Sequence, residues 1–148
     1  MTWRGLLRFA WIPVVAVVLA IGFFASQGQR DLENLAVGDC FDTGDTEVLT
    51  EVDSKECDEP HQYEVVHVAT WTGPDDTYPS GTAQDDFIAT ECLPAFAQYV
   101  GTDFETSSLF MTTITPSEES WADGDRAFVC AAYDRDNPLN SSVRDSGL

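Results

Sequence analysis

Hydrophobic and polar residues are distributed in two different ways along this chain. From Phe9 to Ala25 the sequence reads FAWIPVVAVVLAIGFFA, 17 residues that are apolar on every helical face. At about 1.5 Å per residue such a helix is roughly 25 Å long, close to the ~30 Å hydrocarbon core of a bilayer. Leu6 and Leu7 extend its apolar surface, Arg8 can snorkel to the interface, and Trp11 suits a wet boundary. The run therefore predicts a transmembrane helix over 9–25, with 1–8 before it and a polar tether, SQGQRDLEN, over 26–34.

Beyond the tether the pattern is that of a small folded domain over 35–135. Thr46 to Val52, His61 to Thr72, Leu109 to Thr115 and Arg126 to Tyr133 are rich in β-branched and aromatic residues and predict strands. Thr82 to Gly101 predicts a helix with Thr82 as N-cap, Asp85 completing a weak capping box and Gly101 as terminator. Phe87, Ile88, Cys92 and Phe96 share one face of it, and Pro94 is expected to kink or split it. Pro116-Ser117-Glu118-Glu119 opens a helical turn that Asp123-Gly124 closes. Residues 136–148, with Asn-Pro, Ser-Ser and Ser-Gly, read as a flexible tail. The fold class expected is α+β: an N-terminal transmembrane helix, then a mainly antiparallel sheet with one packed helix.

Charge sharpens the division. The 148 residues carry 26 Asp+Glu against 7 Lys+Arg, a net −19. Arg4, Arg8 and Arg30 give the first thirty residues +3, whereas the remainder holds every acid and only Lys55, Arg126, Arg135 and Arg144. Nucleic acid is excluded as a natural partner, because phosphate backbones are gripped by clustered Lys and Arg. The positive-inside bias places the N-terminus in the cytoplasm and the acidic domain outside it. A cleaved signal peptide is the competing reading, with Ser26-Gln27-Gly28 as the acceptable cleavage site. The apolar run is longer than a usual signal core, which favours a retained anchor.

Four cysteines, Cys40, Cys57, Cys92 and Cys130, all lie beyond the apolar run. An even number in a small extracytoplasmic domain implies two disulfides. Of three possible connectivities, Cys40–Cys57 with Cys92–Cys130 joins elements that can be neighbours. A structural zinc site fits less well: there is no Cys-x-x-Cys, and Cys57-x3-His61 has no second close pair.

The order of short motifs resembles a known family. Val37-Gly38-Asp39-Cys40-Phe41 is followed by Cys57 and Pro60-His61-x-x-Glu64-Val65-Val66. Then come Cys92, Phe96, Tyr99-Val100-Gly101 and Trp121-x-x-Gly124-Asp125-Arg126-x-x-x-Cys130. The set resembles the septum formation domain family of actinobacteria, small extracytoplasmic domains often carried behind a membrane span. The resemblance covers about residues 35–135. It implies an envelope protein linked to septum formation or cell division, and it supplies no chemistry.

Candidate chemistry is sparse. His61 and His67 would lie roughly 20 Å apart in one strand, on the same face as Tyr63, Val65, Ala69 and Trp71, too far for joint chelation. Pro60-His61 reads as a turn held by an imidazole hydrogen bond. Trp121 reads as a core cover, with Asp125 and Arg126 fixing the strand that follows. Asp134-x-Asp136 begins like a calcium loop, but Pro138 and Leu139 occupy the next critical places. No Gly-x-Ser-x-Gly elbow or Ser-x-x-Lys is present. The sequence therefore predicts no catalytic residue, cofactor or metal. The candidate interaction residues are His61, Glu64, Trp121, Asp125 and Arg126. The expected function is a non-enzymatic, membrane-anchored binding module for envelope or division proteins or cell-wall components. Two alternatives stand beside it: an accessory subunit of a larger membrane complex, and a wall hydrolase using an Asp/Glu pair.

Overall fold

A computed structural model of the chain describes residues 29–44, 51–74 and 77–148. The segment 9–25, read as a membrane span, lies outside those residues. Among the described residues no helix is long and apolar enough to cross a membrane.

Six strands among the described residues form one antiparallel sheet: β1 (Gln29–Asp31), β2 (Cys40–Asp42), β3 (Glu51–Lys55), β4 (Tyr63–Thr70), β5 (Phe110–Ile114) and β6 (Ala127–Tyr133). Their order across the sheet is β1-β3-β2-β4-β6-β5. Among the described residues two α-helices pack with it, α1 (Thr82–Val100) and the short α2 (Glu118–Ala122). The α+β expectation holds for this domain. The tether does not: part of it is β1, paired with β3, and Leu32 packs on the core beyond it. Polar residues suit an edge strand, whose ladder needs only main-chain groups.

Helix α1 buries Cys92, Phe96, Tyr99 and Val100, a stripe at i, i+4, i+7 and i+8 against β4 and β6. Its N-cap is Gly81 rather than Thr82, which is already the first helical residue, and it ends where Gly101, at φ 88°, donates its N–H to the Ala97 carbonyl. Pro94 neither splits nor ends it. The proline and Thr90, whose carbonyl would have received the missing N–H bond, both lie on the exposed side, where water can satisfy the carbonyl. The helical turn expected after Pro116 is α2, and its N-terminus is closed by a reciprocal pair between Ser117 and Ser120.

Strand β4 carries an irregularity that reverses its alternation. Val65 sits opposite Ala131 and His67 opposite Cys130, so one extra residue is accommodated between them. Before this bulge Tyr63 and Val65 point away from α1, toward Phe41, Val52 and Val129. After it His67 points to the helix side, with its Nε2 3.9 Å from the Glu91 carboxylate, and Ala69 joins Trp121 and Phe128. The expected shared face for His67, Tyr63 and Val65 therefore fails. Sheet periodicity is counted in paired residues, and an unpaired one inverts everything after it.

The disulfides are Cys40–Cys57 and Cys92–Cys130, the sequential pairing. The second bolts α1 to β6 inside the main core. The largest departure from expectation concerns 136–148, which is a packed strap and not a flexible tail. Leu139 and Val143 are buried with the α1 stripe. Asp145 and Gly147 donate their N–H groups to the carbonyls of Tyr99 and Val100.

Candidate functional site

Two of the predicted residues meet in the interior, where they fasten the strap. The main chains of His61 and Leu139 exchange hydrogen bonds of 2.9 and 2.8 Å. Glu64, fully buried, receives three more: from Tyr99 Oη and Ser142 Oγ at 2.6 Å each, and from the Val143 N–H at 2.7 Å. A buried carboxylate is tolerable only when its lone pairs are met in this way. His61 Nδ1 lies 2.7 Å from the Glu59 carbonyl. A carbonyl only accepts, so Nδ1 carries the proton of that bond. His61 Nε2 faces the Glu64 carboxylate at 3.9 Å and makes no hydrogen bond among the described residues.

The Val-Gly-Asp-Cys motif is built around the same clasp. Gly38 has φ 95°, and a Cβ there would come within 3.3 Å of an Arg144 guanidinium nitrogen. Arg144 in turn lies over the Tyr99 ring, 4.3 Å from its centre. The two sulfurs of Cys40 and Cys57 and the Glu64 carboxylate all lie within 4.8 Å of one another. Because the sulfurs are bonded to each other, this trio provides no thiolate pair for a metal.

Burial and, after it, the hydrogen bond and charge of Glu64 push the Tyr99 phenol from 10.0 up to about 12, with Arg144 opposing. The folded state thus holds the phenolic proton more tightly than the unfolded chain does. The associated stability is fully present below about pH 10 and lost as pH rises through about 12. Absorbance near 295 nm should show a late tyrosine ionisation in that window, which Tyr99→Phe removes. An unchanged late phase in that variant would mean another phenol is responsible.

The other three predicted residues form a second, separate knot. Trp121 is 6% exposed, and the Arg126 guanidinium stacks 3.7 Å from its ring centre. Arg126 also donates to the carbonyls of Trp121 and Asp125, at 2.7 and 2.8 Å. Asp125 accepts from Ser120 Oγ and the Ala127 N–H. Trp121 is therefore a core cover, and its neighbours fix the start of β6.

His61, Glu64 and Trp121 are buried, and from the two clusters Asp125 and its partner Ser120 reach accessible space. The accessible feature lies on the face of the sheet opposite α1, a groove of about 820 Å³. Phe41, Tyr63 and Val129 line its floor, four consecutive residues of β5 and its exit (112–115) form one wall, and Asp31, Glu119 and Asp125 bring carboxylates to it. Of the predicted residues only Asp125 reaches this groove, and among the described residues no Lys, Arg or His lines it. It is assembled from segments around residues 31, 41, 63 and 112–129, which no local motif links. The readable signal was the uncharged strand FMTTI beside an acidic turn.

These features define a disulfide-stapled α+β domain with a sealed polar clasp and an acidic groove on the opposite side of the sheet. The family model described as septum formation matches residues 16–138, and the chain belongs to that family. Membership suggests a role in cell division. No curated protein and no solved structure shows significant similarity to the chain.

Proposed function

We propose that the protein is a non-enzymatic binding module of the septum formation machinery, held in the membrane by residues 9–25 with its acidic domain outside the cytoplasm. The observation that carries this reading is the distribution of chemistry between inside and outside. His61, Glu64 and both disulfides are occupied in holding the fold, whereas the open groove offers main chain, threonine hydroxyls and carboxylates. Such a surface suits recognition of envelope or division proteins, or of wall components, and the -22 borne after residue 30 suits a solvated envelope face. The wall-hydrolase alternative finds Glu119 and Asp125 in one groove, but both Asp125 oxygens already accept hydrogen bonds.

The test is affinity capture with the full chain in mild detergent, combined with a C-terminal fluorescent fusion able to mature outside the cytoplasm. Septal enrichment, a division defect on depletion and a reproducible division or envelope partner are expected. Uniform fluorescence with no defect would sink the division role. Co-purification of a stoichiometric membrane complex that survives loss of the groove acids would favour the accessory-subunit alternative.

A further inference from the structure

We propose that the outer edge of β5 and the groove beside it bind an extended, Lys- or Arg-rich polypeptide segment, which joins the sheet as a further strand. The inference rests on the binding-module reading and names its surface and its kind of partner.

The first observation is the direction of the main-chain groups. Trp71 donates its N–H to the carbonyl of Arg126, and the register Thr70↔Ala127 places those two residues directly opposite each other. In an antiparallel ladder, residues of a central strand bond alternately to the left and to the right. Arg126, Phe128 and Cys130 therefore face β4, while Val129, Ala131 and Tyr133 face β5. Their partners Ile114, Thr112 and Phe110 bond inward. Met111 and Thr113 are left presenting N–H and C=O groups at the rim of the sheet. Among the described residues no strand pairs with that rim.

The second observation is that this edge lacks the usual protection. Natural edge strands are blunted by charge, proline, bulges or extreme shortness. Strand β5, FMTTI, contains neither charge nor proline and pairs with β6 over five residues without a bulge. The opposite edge, β1, has three residues and includes Arg30 and Asp31. An unguarded edge on one side only is the geometry used for strand addition, in which main-chain bonds give affinity and flanking pockets choose the side chains.

The third observation chooses the partner. Successive strand residues point to opposite faces, so a wall formed by 112–115 consecutively includes main chain as well as side chains. The groove thus opens onto the rim, and an added strand would direct alternate side chains over it. There they meet the floor of Phe41, Tyr63 and Val129 and the carboxylates of Asp31 and Glu119, with no Lys, Arg or His among the described lining residues. Apolar and basic residues fit this surface, and acidic ones are repelled.

The test uses the full chain in mild detergent and a fluorescent ten-residue peptide of alternating Val and Lys, read by anisotropy. Binding is expected, weakening several-fold as salt rises from about 50 to about 300 mM. Exchange of Lys for Glu in the peptide should weaken it by at least about 30-fold. Glu119→Lys should cost roughly 3-fold or more, and Thr113→Pro, which removes an outward N–H, at least about 10-fold. If Thr113→Pro fails to fold, the Val/Lys peptide N-methylated at alternate residues interrogates the same bonds and should also lose at least about 10-fold. No binding, equal binding of the methylated peptide, or equal binding of the Glu peptide would overturn the proposal. So would displacement by wall polysaccharide that leaves the strand-edge variants unaffected. A division partner captured as well by Thr113→Pro as by the native chain would reject this surface while leaving the binding-module reading intact; capture of no partner by the native chain would reject that reading.

Discussion

Replacing Glu64 by Leu is expected to lower the unfolding free energy by about 3–5 kcal/mol and to detach the C-terminal strap. Leucine fills similar space but accepts nothing, so Tyr99 Oη, Ser142 Oγ and the Val143 N–H lose their common acceptor. Tyr99 and Val143 are buried, and each of their stranded donors costs about 1–3 kcal/mol, whereas the exposed Ser142 hydroxyl can turn to water. The losses are not simply additive, since the two hydroxyls can rotate toward other acceptors while the Val143 N–H cannot. Against a total stability of about 5–15 kcal/mol for a domain of this size, the variant is severely weakened. Urea unfolding should show the drop as a lower midpoint. Limited proteolysis should cut within 136–148 before the rest of the domain opens. Glu64→Gln retains one carbonyl oxygen and should lose less than half as much. If Glu64→Leu unfolds within about 1 kcal/mol of the native protein, the carboxylate is not what holds the strap.

The clasp also shows where sequence reasoning stops. The helix was legible because its apolar residues repeat over five turns and Gly101 marks its end; β4 and β6 were legible because Val, Tyr and Phe accumulate there. The disulfide pairing followed from neighbouring elements. The strap was not legible, because Leu139 and Val143 are two apolar residues in a polar stretch and carry no period. What fastens this stretch is distant in sequence: His61 for Leu139, and Glu64, 78 positions from Ser142 and 79 from Val143. A hint existed in Glu64 itself, a lone acid inside the apolar run Tyr63–Val68, where only a partnered carboxylate can be buried.

The bulge and the groove were hidden for different reasons. One unpaired residue near Val66 inverts the facing of His67, Ala69 and Trp71, and nothing in Val65-Val66-His67 announces it. The groove requires segments around residues 31, 41, 63 and 112–129 to be brought to one face, which is a consequence of strand order. Trp121, Asp125 and Arg126 could be assigned their structural role in advance because all three contacts are local, within five residues in sequence.

Loss of the Cys92–Cys130 bridge, by Cys92→Ala with Cys130→Ala, is expected to cost about 4 kcal/mol, compared with about 3 for the same change at Cys40 and Cys57. The difference comes first from the loops released, with sequence separations of 38 and 17. Site adds to length: Cys92 and Cys130 are both completely buried between α1 and β6, whereas Cys57 is half-buried. In a domain this small a loss of about 4 kcal/mol lowers the melting temperature by roughly 15–30 °C. Thermal unfolding of the two double variants should therefore separate clearly, with the helix-to-sheet bridge the more damaging. Equal losses would mean that loop entropy does not govern either bridge. The smaller bridge should nevertheless couple to the clasp, because Cys40 lies directly opposite Glu64 in the register of β2 and β4. Combining its removal with Glu64→Leu should depart from additivity by more than about 0.5 kcal/mol. Strict additivity would show that Cys40–Cys57 stabilises the β2–β3 region without helping to hold the strap.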